Sequence, residues 1–323
     1  MARKKPQLAQ SETVESLPLA CVDETAARAL IERDRWGGAP WCPHCGDTDV
    51  YAMKGESAER RGLYRCHGCK KQFTVRVGSI FEDSKILLHQ WVRAMWEATS
   101  CKNGISALEL SRKLQINYRS ALFMMHRIRH AMAPTSPPKL DGTLEADETY
   151  VGGKPRYPRR VDGQIRKGRD TSNPKAPVFA VVQRGGNVRA SVLPNIKAHN
   201  VRRVLAECAD TGARLITDDL NLYQTLGEEF ARHDRINHTA KVYVDPADST
   251  IHTNTVEGFF SRVKRSLNGT YHAVSREHLH RYINQFAFAY NTRKLNDGER
   301  FSTLVRETGG KRLMYRKPKG EVA

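Results

Sequence analysis

"TLEADETYVGG" (Thr143–Gly153) has the apolar, β-branched and aromatic residues of a buried strand and closes on a Gly-Gly turn. It also sets Asp147 in the middle of that strand. A carboxylate there costs desolvation unless something pairs it. Two further acids downstream pose the same question. Asp218 ends a second strand, "RLITD" (Arg214–Asp218), with Asp219 next to it and a helix ahead. Glu257 lies in "IHTNTVEGFFSRVKRS" (Ile251–Ser266). At helical spacing Val256, Phe259, Phe260, Val263 and Leu267 share one face of that segment, and Asn254, Glu257, Ser261 and Lys264 share another.

The surrounding pattern is α/β. "VFAVVQRGGNVRASVLP" reads as a hairpin turned at Gly185-Gly186. "NVRRVLAECAD", "LYQTLGEEF" and "SREHLHRYINQFAFAYNTR" read as helices between and after the strands. Hard oxygen ligands at strand ends suit a divalent cation such as Mg²⁺. Two such ions held by three carboxylates can activate a water or a 3′-hydroxyl and stabilise the leaving oxygen. Glu148 and Asp219 offer carboxylates beside the first two acids. Asn254 offers an amide oxygen one turn before Glu257.

The formal net charge of +18 over 323 residues points to an anionic partner, most simply nucleic acid. Residues 1–50 are net −2, whereas 51–140 and 141–323 are each net +10, so the basic face begins after residue 50. The stretch "KPRYPRRVDGQIRKGRD" (154–170) reads as a basic loop that tracks a phosphate backbone. No apolar run is long enough to cross a bilayer, and the basic start has no apolar core of a secretory signal. The expectation is a cytoplasmic, nucleoid-associated protein with no membrane partner.

Cys42-Pro-His-Cys45 and Cys66-His-Gly-Cys69 form two CxxC knuckles separated by twenty residues. Such pairs supply the four soft ligands of one structural Zn²⁺, with no open coordination position. His44 and His67 read as spacers, and Cys21, Cys101 and Cys208 as residues of apolar segments. After a helix over "ILLHQWVRAMWEAT", "SALELSRKLQINYRSALFMMHRIRHAM" has the form of a helix-turn-helix. Tyr118 to Ala131 would be its recognition helix, with Arg119, Arg127 and Arg129 facing DNA. Pro-rich "APTSPPKLDG" (133–142) marks a boundary. The expected domains are an N-terminal helical segment (1–40), a zinc ribbon (41–83), a helix-turn-helix-like domain (84–135), a catalytic domain (143–300) and a basic tail (301–323).

Taken in order, the ribbon, the helical block, "ADETYVGGK", "LITDD" and "HTNTVEGFFSRVKRS" with "REHLHRYINQFAFAYNTR" resemble DDE-type insertion-sequence transposases, specifically the ISXO-like group with an N-terminal zinc ribbon. The resemblance spans roughly residues 20 to 300. It implies a ribonuclease-H-like domain, a mixed sheet flanked by helices. It also implies Mg²⁺- or Mn²⁺-dependent cleavage at transposon ends and joining of 3′-hydroxyls to target DNA. By position it makes Asp147, Asp218 and Glu257 the three acids, and Lys264, with Arg265 beside it, a DNA contact. The implied partners are double-stranded DNA, as terminal inverted repeats and as target. Holding two ends together requires a homodimer or larger assembly. The rival readings are a nuclease on the same fold that does not join, and a DNA-binding regulator whose catalytic domain is inert.

Overall fold

The computed structural model describes residues 12–152, 160–161, 164–165, 175–237 and 244–314. The chain divides into two units, residues 1–135 with 292–323, and residues 136–291.

The first unit opens with α1 (Glu12–Ala20) and α2 (Glu24–Trp36). Asp23 caps α2 by accepting from the Ala26 N–H at 2.7 Å, and Ala27, Leu30 and Ile31 form its buried stripe. A small antiparallel sheet follows, β1 (Val50–Ala52), β2 (Tyr64–Cys66) and β3 (Gln72–Phe73), with α3 (Glu56–Arg61) between its first two strands. Next come α4 (Leu88–Ser100), α5 (Ala107–Leu114) and α6 (Tyr118–Ala131). Ser106 caps α5 through the Glu109 N–H, Gln115 ends it at φ +52°, and Asn117 caps α6 through the Arg119 N–H. A three-residue connection, 115–117, thus joins α5 to α6 where the sequence leads one to expect the turn of a helix-turn-helix.

The second unit is built on β4 (Thr143–Val151). A two-stranded hairpin, β5 (Arg160–Val161) and β6 (Gln164–Ile165), comes next, then β7 (Ala176–Gln183) and β8 (Val188–Val192). The chain continues through α7 (Ala198–Cys208), β9 (Arg214–Asp218), α8 (Asn221–Gly227), β10 (Arg232–Ile236), α9 (Asn254–Ser266) and α10 (Leu279–Asn291). The main sheet has the order β10-β9-β4-β7-β8. β4, β7 and β8 run antiparallel to one another in turn, while β9 and β10 join parallel on the other side of β4. This is the mixed ribonuclease-H-like sheet, with β4 at its centre.

Strand alternation sends side chains to two helical layers. Leu144 and Ala146 of β4, with Phe179 and Val181 of β7, pack with Val201, Val204 and Leu205 of α7 and Tyr223 and Leu226 of α8. Val178, Ala180 and Val182 pack beneath Val256, Phe259, Phe260 and Val263 of α9 and Ile283 and Phe286 of α10. Each large apolar side chain buried this way contributes about 1.5–3 kcal/mol. The stripe on α9 is therefore what holds that helix to the sheet.

The C-terminal organisation differs from expectation. Residues 292–323 group with residues 1–135, and α11 (Asp297–Arg306) packs on α2 and α4. Asn296 and Glu299 make a capping box at its start, and Phe301, Leu304 and Val305 are buried. The second unit thus ends at residue 291 rather than 300. Residues 301–306 are not tail, because their apolar face is covered. Most of the basic stretch 154–170 lies outside the described residues, as does the tail from 315 onward. Among the described residues no helix is long and apolar enough to cross a membrane.

Candidate active site and nucleic-acid-binding elements

The register of the sheet sets two acids level. Thr143 to Ala146 of β4 pair in parallel with Arg214 to Thr217 of β9. The next residues along the two strands are Asp147 and Asp218, on neighbouring strands about 4.8 Å apart. Odd-numbered residues of β4 point away from Leu144 and Ala146, toward the layer that holds α9. Glu257, in the first turn of α9, joins Asp218 and Glu148 in the negative field at Asp147. Burial, chiefly, and these three carboxylates push the Asp147 carboxyl up to about 7, although the Glu148 N–H donates to it at 2.7 Å and opposes the shift. Half-buried hard-oxygen donors that repel one another suit a divalent cation.

The neighbouring acids are held by other partners. Glu148 accepts from the buried Tyr223 hydroxyl at 2.6 Å, and burial raises its pKa. Asp219 pairs with Arg235 of β10 at 3.2 Å and accepts from the Asn237 amide at 3.3 Å. Asn254 is exposed at the first position of α9, whereas Glu257 is half-buried and accepts from the buried Thr253 hydroxyl at 3.3 Å. Lys264 and Arg265 are both exposed in the last turn of α9.

One residue of this region was not singled out from the sequence. Glu145 is fully buried on β4, two residues before Asp147. It accepts from the backbone N–H groups of Thr255 (2.7 Å) and Val256 (3.0 Å), from the Thr255 hydroxyl (2.8 Å) and from Arg184 Nε (2.6 Å). Arg184 also donates to the carbonyls of Thr250 and His252. His252 Nδ1 lies 3.4 Å from Glu145, so this histidine belongs to the support of α9. An acid two positions before another acid carries no local mark of such a role. Only the return of the chain 110 residues later reveals it.

In the first unit, the sulfur atoms of Cys42, Cys45, Cys66 and Cys69 lie within 4.8 Å of one another. Cys42 and Cys69 approach to 3.6 Å, and Cys45 and Cys66 to 3.7 Å. The Lys71 backbone N–H leads the interactions that lower the Cys69 thiol to about 7. His44 and His67 stand exposed and the cluster consists of the four thiols. Four converging sulfurs fit a tetrahedral structural Zn²⁺ with every position filled.

Of the arginines of α6 expected from the sequence to face DNA, only one is exposed. Arg119 is exposed at the N-terminal end of α6, next to Tyr118. Arg127, expected from the sequence to face DNA, is only 6% exposed. Its Nη1 donates to the carbonyls of Ile80 (2.8 Å) and Glu82 (2.7 Å), and its guanidinium lies 4.8 Å from the Phe123 ring centre. Arg129 is buried as well. The C-terminal half of α6 packs into the first unit on more than one face, so both arginines are structural. The N-terminal turn, with Tyr118 and Arg119, is the exposed part of α6.

Two segments of the chain match families of known proteins. Residues 139–291 match the family described as the ISXO2-like transposase domain, and residues 22–72 match a transposase zinc-ribbon domain. Together the two matches take in more than half of the chain. A protein of Halobacterium salinarum, described as an uncharacterized protein in transposable element ISH50, is 29% identical over 281 residues, covering 82% of this chain and 90% of its own length. A solved structure of a pre-cleavage Mos1 transpososome covers 64% of this chain and 75% of its own at 12% identity, with a TM-score of 0.22.

Proposed function

We propose that this chain, which matches the ISXO2-like transposase domain over residues 139–291 and a transposase zinc ribbon over residues 22–72, is a DNA transposase, and that Asp147, Asp218 and Glu257 form the divalent-metal centre at which it cleaves and joins DNA strands. The observation that supports this most is the parallel register of β4 with β9, which brings Asp147 level with Asp218, together with the negative field of Glu257 at Asp147. Two Mg²⁺ or Mn²⁺ ions, when bound, would polarise the scissile phosphate and make water or a 3′-hydroxyl a better nucleophile.

The chain's own residues do the rest. Asp147 and Asp218 present carboxylate oxygens from the rigid centre of the sheet, and Glu257 presents a third from α9. Lys264 and Arg265 meet the phosphates of the DNA end near that site. Arg119 and the exposed first turn of α6 meet the terminal repeat. The four cysteines fold the ribbon around Zn²⁺. The products are cleaved transposon ends joined to target DNA, made by a dimer or larger assembly on double-stranded DNA, in the cytoplasm at the nucleoid.

Glu257 is assigned as the third acid over Asn254, since Glu257 shares the field of Asp147 and Asn254 points to solvent. Strand cleavage of DNA carrying the element ends separates the two. Glu257→Gln removes a charge at constant shape and should lower cleavage by orders of magnitude with DNA binding intact. Asn254→Ala should stay within about tenfold of wild type, the low end of effects seen for support of a metal site. The reverse ranking would make Asn254 the ligand. Cleavage with no joined product would favour a nuclease.

A further inference from the structure

We propose that Glu145 is a positioning residue that sets the distance between the first and third acids by pinning the N-terminus of α9 to β4. This rests on the reading of Glu257 as a metal-binding acid. Three facts carry it. Glu145 and Asp147 lie on the same face of one strand, two residues or about 6.8 Å apart along it. The carboxylate of Glu145 takes up the N–H groups of Thr255 and Val256, the two residues immediately before Glu257. It does so fully buried, with no solvent to substitute for it.

The helix N-terminus needs an acceptor for these donors and favours a negative one. Most helices find it in a local cap. Here Thr253 precedes α9 with no side-chain cap bond, and the acceptor comes from the central strand. The strand that presents Asp147 therefore also fixes the helix that presents Glu257. Arg184, just past the end of β7, compensates the buried charge and ties in the carbonyls of Thr250 and His252. The loop leading into α9 is thereby held to the same point. The apolar stripe of Phe259, Phe260 and Val263 holds the helix against the sheet, but apolar burial is non-directional and specifies axial position less sharply than hydrogen bonds do. The hydrogen bonds of Glu145 provide that axial stop.

Glutamine at this position keeps the shape but turns an NH₂ group toward donors, so one pair of bonds is lost. The test uses full-length, zinc-loaded protein without DNA, titrated with Mn²⁺ alone and followed by the EPR signal of free Mn²⁺. It is run well below the unfolding midpoint of every variant. Glu145→Gln should weaken Mn²⁺ binding by about tenfold or more, as for other residues that orient metal ligands. Amide exchange of the segment 253–258 should accelerate, with β7 as protected as in wild type. Arg184→Lys keeps the charge but loses the fork, and should shift both readouts the same way by less. It carries the test if the glutamine variant does not fold. Weakened binding in Glu257→Gln with wild-type binding in Glu145→Gln, or in Arg184→Lys where that variant stands in, would overturn the positioning role and leave the metal centre standing. Wild-type Mn²⁺ binding in Glu257→Gln would instead overturn the assignment of the third acid, and the positioning role with it.

Discussion

Replacing Arg127 by methionine should destabilise the first unit and leave DNA recognition nearly untouched. The side chain makes two charge-donated hydrogen bonds, to the carbonyls of Ile80 and Glu82, and lies against Phe123. Each such bond contributes about 1.5–3 kcal/mol. Desolvation of the guanidinium offsets part of this, and burial lowers its pKa. Methionine keeps the apolar stem but leaves two inward carbonyls without a donor. A net loss of about 3 kcal/mol is expected. That corresponds to a fall of roughly 6–12 °C in the unfolding midpoint of a unit of this size. Arg119→Ala is the matched control: it removes an exposed cation, so stability should hold. Its signature is electrostatic, a slope of log affinity against log salt shallower by about 0.9, one phosphate's worth. Calorimetry and salt-dependent binding to duplex DNA read both effects. A methionine variant that melts like wild type and loses salt dependence would show that Arg127 contacts DNA and that the buried placement is wrong.

Asp147 gives the site a pH signature. Its folded value of about 7 stands above the unfolded value of about 3.9. Protonation therefore favours the metal-free fold: the contribution is complete below about pH 4 and is lost as pH rises toward about 7, by up to about 4 kcal/mol. Without metal the second unit should melt earlier at pH 8 than at pH 5, and Mg²⁺ should raise the midpoint more at pH 8; the opposite trend would remove the carboxylate crowding invoked here. Cys66→Ser should abolish binding of about one Zn²⁺ per chain and unfold the ribbon locally, as metal analysis and amide exchange over 41–75 would report. Retention of zinc by that variant would contradict the four-thiol site. Tyr223→Phe takes away the donor to Glu148 and should cost about 1–3 kcal/mol. Cleavage should fall by less than tenfold if Glu148 is no metal ligand; near-complete inactivation would make it one.

What the sequence disclosed, and what it withheld, follows from the range of the interactions. The zinc ribbon was readable because CxxC spacing encodes ligand geometry within a few residues. β4, β9 and α9 were readable because period and composition mark them, and their acids stand out against apolar surroundings. Glu145 was not, since the donors that explain its burial sit 110 residues away. Arg127 misled because an arginine on a helix is ordinarily solvated, and the loop at 80–82 that covers it leaves no trace in the periodicity of α6. β10, "RHDRI", is an edge strand with four polar or charged residues in five, so it carries no apolar alternation. α11 is a different case. Asn296, Glu299, Phe301, Leu304 and Val305 form a legible cap and stripe, and only the basic composition around them suggested a tail.

The most direct test of the metal centre is a crystal of the full chain soaked in Mn²⁺ and measured at the manganese absorption edge. Anomalous density should appear among the carboxylates of Asp147, Asp218 and Glu257, and should weaken or vanish in crystals of Glu257→Gln. Manganese bound instead by Glu148, Asp219 or Asn254, or none at these residues while DNA is still cleaved, would contradict the assignment.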